Sequence, residues 1–143
     1  MRIRQLNHSV YQGQYHLVWG TKYRRKILKH YVRKELIKSF YKTQKSYPDW
    51  YFIKINTDND HVHILMEIPP KYSVSKVVQE LKSRSSKALR KKFPFIKKMS
   101  DDNAIWAIGF FMSTVGLNEE SIRKYIEKQG NQDKPIDITA ELS

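Results

Sequence analysis

Two histidines, His61 and His63, flank a single valine at the start of the apolar stretch HVHILMEI. Alternate side chains of a β-strand share one face, so both imidazoles project the same way, about 6.6 Å apart. At that spacing one nitrogen of each ring can reach a common ion, but two imidazoles do not complete a coordination site. The pair therefore predicts a metal site that takes a further ligand from elsewhere. An isolated pair of this kind also arises by chance as two packed or surface histidines.

A second set of reactive groups lies on a predicted C-terminal helix, residues 117–130, with Asn118 as its N-cap and Gly130 at its end. Tyr125 and Gln129 are four residues apart, so they project from one face, one turn apart. The Gln129 amide oxygen is a candidate third ligand, and Tyr125 would then lie within reach of a metal-bound phosphate. Taken alone, Tyr125 is one of nine tyrosines and reads as a packed helix residue. Tyr125 becomes a candidate catalytic residue because the sequence also contains the histidine pair and Gln129.

The remaining pattern predicts the elements that must position these groups. Apolar alternation predicts strands, and apolar residues three or four apart predict helices. Strands are expected at 15–24, 50–56, 61–68 and 106–116, and helices at 30–48, 73–93 and 117–130. This order predicts an α+β fold of the ferredoxin or RRM type, a split βαβ sandwich on an antiparallel sheet of about four strands, with an added C-terminal helix.

The third strand is expected to have two different faces. Its apolar side chains alternate with the histidines, so one face packs in the core and the other carries the imidazoles. The core face comprises Val62, Ile64, Met66 and Ile68.

Composition restricts the class of protein. The 143 residues suit one domain, placed at 1–130 with a tail at 131–143. The chain has no cysteine, which excludes disulfides and thiolate zinc sites, and no apolar run long enough to span a membrane. A cytoplasmic protein with no membrane partner is expected. The net charge of +13 predicts a polyanionic partner, most simply nucleic acid, although a solvated basic surface is the alternative.

Two basic segments are candidate DNA contacts. Cations beside an aromatic ring suit a single strand or a hairpin, because charge holds phosphates and rings stack on bases. The first segment contains Lys22, Tyr23, Arg24, Arg25 and Lys26. The second, on the 73–93 helix, contains Lys82, Arg84 and Lys87. Each residue could instead belong to a solvated face.

The chain resembles a known family over roughly residues 14–130. HVH is similar to the HUH motif, in which U is hydrophobic, and YIEKQ resembles the tyrosine-helix motif of single-tyrosine HUH transposases of the TnpA type, which short bacterial and archaeal insertion sequences encode. The segments YHLVWGTKYRRKIL, DHVHILMEIPPKYSVSKVVQELKSRSS and FFMSTVG look like family segments in the family order.

The resemblance implies a homodimer that recognises single-stranded DNA hairpins at element ends and cleaves through a 5′-phosphotyrosine intermediate. It makes Tyr125 the nucleophile and His61, His63 and Gln129 the ligands of Mg²⁺ or Mn²⁺, whereas imidazoles alone would suggest zinc. Gly116 would be the hinge of a tyrosine helix that can complete the partner's active site.

Two alternatives remain at the level of sequence. A replication-initiator or relaxase-like HUH nickase shares the motif, although such proteins tend to be longer. A non-catalytic RRM-like module would bind nucleic acid with incidental histidines, but it would need exposed aromatic residues on central strands, and the RNP-type motif is absent.

Overall fold

The structure, a computed structural model, describes residues 4–6, 9–11, 13–100, 104–114 and 124–127. Gly116, Gln129, the tail at 131–143 and most of the predicted C-terminal helix lie outside these residues. The elements are β1 (Arg4–Leu6), β2 (Ser9–Tyr11), β3 (Gln14–Gly20), α1 (His30–Ser46), β4 (Tyr51–Thr57), β5 (His61–Glu67), α2 (Val74–Lys92), α3 (Pro94–Met99) and β6 (Phe111–Ser113).

The main sheet has four antiparallel strands in the order β4-β5-β3-β6. The helices α1 and α2 pack against each other, and their apolar side chains join those of one sheet face in a single core. This arrangement confirms the predicted α+β fold with its four-stranded sheet. The sequence pattern did not predict the separate β1–β2 hairpin or the short α3. Among the residues that the structure describes, no helix has the length and apolar character that crossing a membrane requires.

The core face of β5 is the one that alternation predicted. Val62, Ile64 and Met66 are fully buried, and Ile68 just beyond the strand is nearly so. Each fully buried aliphatic side chain contributes about 1.5–3 kcal/mol relative to an exposed one. The other members of this core come from β3 and the helices and include Leu17, Trp19, Val32, Leu36, Phe40, Val77, Leu81 and Leu89.

The first predicted strand, 15–24, is too long at its C-terminal end. Regular pairing stops at Gly20, and Lys22–Arg24 form a single 3₁₀ turn. Tyr23 and Arg24 have φ values of 56° and 53°, in the left-handed region that interrupts an extended strand. Neither residue is the glycine or asparagine that would signal such a turn in the sequence.

The predicted strand 106–116 pairs over a much shorter stretch. Within the described part of this stretch, 106–114, only Phe111–Ser113 form a strand on β3, while Trp106 makes one isolated bridge to Thr21. Gly109 between them has φ of 90°, which turns the backbone out of the extended conformation. Lys82 on α2 secures this irregular segment, because its ammonium group donates to the carbonyl oxygens of Ala107 and Gly109 at 2.8 and 2.6 Å.

Glu80 connects α2 to the end of α1. Its carboxylate accepts hydrogen bonds from the Tyr47 hydroxyl at 2.6 Å and from Arg84 at 3.2 Å. The Tyr47 ring stacks on Trp50, with 4.1 Å between ring centroids. The Tyr47 hydrogen bond, assisted by the charges of Lys76 and Arg84, lowers the pKa of the Glu80 carboxyl below its ordinary value, against the opposing effect of burial.

We expect Glu80→Gln to lower the free energy of unfolding by about 1 kcal/mol at neutral pH. Because the pKa of Glu80 is lower in the folded state, its ionised form stabilises the fold above the unfolded pKa. This contribution is lost as pH falls through the folded pKa. Urea denaturation of both chains at about pH 7 and about pH 3 measures it. Glu35→Gln, which removes a 4.0 Å contact with Lys92, is the control with a smaller expected effect. A Glu80→Gln difference that persists unchanged in acid would contradict the assignment.

Candidate active site

The register of the sheet places the two histidines on the face opposite the helices. His63 on β5 is paired with Val18 on β3, and Val18 is also paired with Phe111 on β6. Directly opposed residues of antiparallel strands project to the same face. His61, two residues from His63, is paired with Gly20 and projects to this face too. We call this side of the sheet the histidine face. The core residues of β5 lie on the opposite side.

Tyr125 packs on the histidine face. It lies in the helical segment 124–127, is fully buried, and its ring centroid is 5.8 Å from that of Phe111. Phe111 is two strands away from His63, a Cα separation of about 10 Å at the usual strand spacing. The structure therefore brings the predicted nucleophile and the histidine pair to the same side of one sheet.

A buried carboxylate contacts His61. The Nδ1 atom of His61 lies 2.9 Å from Oδ1 of Asp60, and Asp60 is only 5% exposed. The other oxygen, Oδ2, accepts a hydrogen bond from Arg24 Nε at 3.2 Å and forms an ion pair with Arg24 Nη2, also at 3.2 Å. Because Asp60 occupies Nδ1, the Nε2 nitrogen of His61 is the one left to face a ligand.

A third histidine contacts His63. His16 Nδ1 lies 3.1 Å from His63 Nε2, with 5.3 Å between ring centroids. Burial lowers the pKa of His63, and the charges of His16, His61 and Lys54 lower it further; burial also lowers the pKa of His16. The environment therefore favours the neutral form of His16 and His63, and the neutral form of an imidazole is the one that binds a metal ion. His16 could not be predicted from the sequence pattern, because its contact with His63 depends on the β3–β5 register.

The imidazoles of His61 and His63 could provide two of the ligands of a metal site. Two imidazoles on one strand face are suitable ligands for a divalent ion. Within the described stretches of the chain, no group of three or more His, Cys, Asp or Glu side chains is arranged to hold a metal. A further ligand must then be of another type or come from a neighbouring segment. Gln129, the predicted amide ligand, lies outside the described residues and stays a prediction.

The first basic segment forms a turn beside the histidine face. Since β3 ends at Gly20, opposite His61, the turn at 22–24 follows at the same end of the sheet. Tyr23 is 59% exposed, and the cationic groups of Lys22 and Arg25 lie 5.6 and 5.3 Å from its ring centroid. This is an exposed aromatic ring flanked by cations, as the sequence analysis expected.

Several other predicted DNA contacts have partners within the chain. Arg24 pairs with Asp60, Lys82 binds backbone carbonyls, and Arg84 donates to Glu80 and to the Ser46 hydroxyl. Lys26 and Lys87 are exposed. DNA binding by all of these residues stays a prediction.

Comparison with known proteins decides the family. The family model described as "Transposase IS200 like" matches residues 9–129. This chain belongs to the IS200-like transposase family. The resemblance drawn from HVH and YIEKQ is thereby confirmed at the level of family. The chain is 31% identical over 131 residues to the transposase for insertion sequence element IS200 of Salmonella typhimurium, spanning 92% of this chain and 86% of that relative.

Solved structures share the fold of this IS200-like transposase. A Deinococcus radiodurans crystal structure that carries a transposase designation aligns with a TM-score of 0.74 and 22% identity, over 93% of this chain and 99% of that one. A REP-associated tyrosine transposase, solved bound to a REP hairpin, aligns with a TM-score of 0.54 and 16% identity, over 80% of this chain and 62% of that one. At these identities the likeness concerns the fold.

The contact between Phe111 and Tyr125 predicts a difference between two variants. Phe111→Ala removes a buried ring and is expected to lower the free energy of unfolding by about 3 kcal/mol. Tyr125→Phe keeps the ring packing and is expected to cost no more than about 1 kcal/mol. Urea denaturation measures both. Equal stabilities for Phe111→Ala and the parent chain would show that the helical segment does not pack on the histidine face.

Proposed function

We propose that this chain cleaves and rejoins single-stranded DNA at insertion-sequence ends through a 5′-phosphotyrosine link to Tyr125. One observation carries the proposal: Tyr125 packs on Phe111, which shares the histidine face with His63. Membership of the IS200-like transposase family supports DNA cleavage and strand transfer as the reaction class. It favours a transposase over a replication-initiator nickase and over a non-catalytic RRM-like module.

In the proposed cleavage the Tyr125 oxygen attacks a backbone phosphorus. The bond between Tyr125 oxygen and phosphorus forms while the bond from phosphorus to the 3′-oxygen breaks. The phenol proton passes to solvent, and the leaving 3′-oxygen takes a proton to become a hydroxyl group. Rejoining reverses these changes, with a 3′-hydroxyl attacking the phosphotyrosine, so the energy of the phosphodiester is kept in the covalent link.

His61 and His63, with Gln129, are the proposed ligands of Mg²⁺ or Mn²⁺. A bound divalent ion supplies positive charge beside the phosphate oxygens, which stabilises the transition state of the displacement. The neutral state that burial favours at His63 keeps an imidazole lone pair available for binding. Metal binding by these residues also accounts for an imidazole pair on a sheet face that does not form the core.

The proposed substrate is a DNA hairpin near each element end. The REP-associated tyrosine transposase was solved bound to a REP hairpin, and it shares the fold. The exposed Tyr23 with its flanking cations supplies a surface on which a base can stack while phosphates are held. We further propose a homodimer in which Gly116 is the hinge that lets the tyrosine helix reach the partner's active site.

A denaturing gel tests the nucleophile. Incubated with single-stranded element-end oligonucleotides and Mg²⁺ or Mn²⁺, the chain is expected to form a covalent protein–DNA adduct. Tyr125→Phe removes the attacking oxygen and is expected to abolish the adduct. Tyr31→Phe, at a tyrosine that is 57% exposed on α1, is the matched control that should retain it. An adduct that survives Tyr125→Phe would assign the nucleophile to another residue.

Histidine variants test the metal ligands. His61→Ala and His63→Ala are each expected to reduce cleavage by more than about 100-fold, because loss of groups that merely support a ligand already costs about 10–100-fold. Hairpin affinity in a gel-shift assay is expected to stay within about threefold, since the histidine pair acts on the scissile phosphate. His30→Ala, at an exposed position on α1, should match the parent chain. Loss of hairpin binding in both active-site variants would indicate a structural role instead.

A further inference from the structure

Asp60 is a buried carboxylate with a polar partner at each oxygen. Oδ1 lies 2.9 Å from His61 Nδ1, and Oδ2 accepts a hydrogen bond from Arg24 Nε and forms an ion pair with Arg24 Nη2. A buried carboxylate carries a large desolvation cost unless charged and hydrogen-bonding partners offset it. Here the partners of the carboxylate are Arg24 and His61, which indicates that Asp60 has a specific role beside the histidine pair.

The backbone around Asp60 is secured to the segment that carries Arg24. The Asp60 carbonyl oxygen accepts from the Thr21 amide at 2.9 Å and from the Thr21 hydroxyl at 3.3 Å. The neighbouring Asn59 carbonyl accepts from the Leu28 amide at 3.0 Å. These bonds fix the turn before β5 against the segment after β3, so both Asp60 and Arg24 have defined positions.

Arg24 reaches Asp60 through a costly backbone conformation. Both Tyr23 and Arg24 adopt left-handed φ values, which are unfavourable for a residue other than glycine. Such conformations persist where the surrounding contacts determine them, and they concentrate at functional sites. The Arg24–Asp60 ion pair is one of the contacts that offset this cost.

We propose that Asp60 and Arg24 are positioning residues that hold His61 in the tautomer protonated at Nδ1, with the Nε2 lone pair directed to the metal. An ionised carboxylate only accepts hydrogen bonds, so the nitrogen facing it must carry the proton. A neutral imidazole has one such proton, which leaves Nε2 as the metal-binding atom. Arg24, which only donates, holds the carboxylate from its other side.

The two histidines of the pair are held differently. At His63 the contact is imidazole to imidazole, with His16, and either ring can donate the shared proton. At His61 the partner is a carboxylate, which defines the direction of the bond. The inference rests on the proposed function for its purpose, but the tautomer itself can be measured without any reaction.

Nuclear magnetic resonance tests the tautomer in the metal-free full chain. Long-range ¹H–¹⁵N correlation of labelled histidines, at a pH above the ordinary imidazole pKa of about 6.5, reports which nitrogen carries the proton. The wild-type chain is expected to show His61 protonated at Nδ1. Asp60→Asn is expected to shift His61 toward the Nε2-protonated tautomer, because an amide can donate to Nδ1. Predominant protonation at Nε2 in the wild-type chain would overturn the proposal.

Direct Mn²⁺ binding, measured by calorimetry, tests the consequence. Asp60→Asn is expected to weaken Mn²⁺ affinity about 10–100-fold, and Arg24→Gln about tenfold. Lys29→Gln removes one positive charge from an exposed position shortly after the turn and is expected to leave the affinity within about twofold. Thermal unfolding identifies variants that fail to fold. If Asp60→Asn does not fold, Arg24→Gln and its rescue by Arg24→Lys decide the test.

The outcomes separate the two proposals. Unchanged Mn²⁺ affinity in folded Asp60→Asn or Arg24→Gln would overturn the positioning role. A wild-type chain that binds Mn²⁺ with His61 protonated at Nε2 would also overturn it, while keeping the proposed metal site. A wild-type chain that binds no Mn²⁺ would instead contradict the metal chemistry of the proposed function.

Discussion

The site depends on the register in which β3 pairs with β5. Pairing Val18 with His63 and Gly20 with His61 sends both imidazoles away from α1 and α2, while the alternate residues of β5 fill the core. A slip of one residue would exchange the two faces, burying the histidines and exposing the apolar side chains. The buried apolar side chains resist that slip, since each would lose about 1.5–3 kcal/mol on exposure. Packing on one face therefore determines where the chemistry lies on the other.

The central strand β3 also connects the histidines to the tyrosine. It lies between β5 and β6, so Val18 stands between His63 and Phe111, and Phe111 supports the Tyr125 ring. Immediately after β3 the chain turns through its left-handed residues and returns Arg24 to Asp60, beside His61. One strand and the turn that follows it thus contact both histidines, Asp60 and the phenylalanine on which Tyr125 packs.

Alternation in HVHILMEI was enough to predict both faces of β5, because the period of a strand is two and each apolar residue is large. The order of elements likewise predicted the four-stranded fold. His16 and Asp60 were missed for a different reason: their roles come from contacts across strands and a turn, which local patterns do not encode. Arg24 was predicted only as a DNA contact, and the left-handed turn that directs it to Asp60 has no glycine to signal it. The 106–116 strand was overextended because its apolar residues also suit an irregular segment held by Lys82.

We propose that the histidine pair and Tyr125 form one metal-dependent site. The most direct measurement is the anomalous difference density of crystals grown with Mn²⁺ and an element-end oligonucleotide bound to Tyr125→Phe. We expect a peak at an ion bound to His61 Nε2 and to an imidazole nitrogen of His63, with a backbone phosphate between the ion and the ring at position 125. A peak away from the histidine face, or a phosphate remote from position 125, would contradict it.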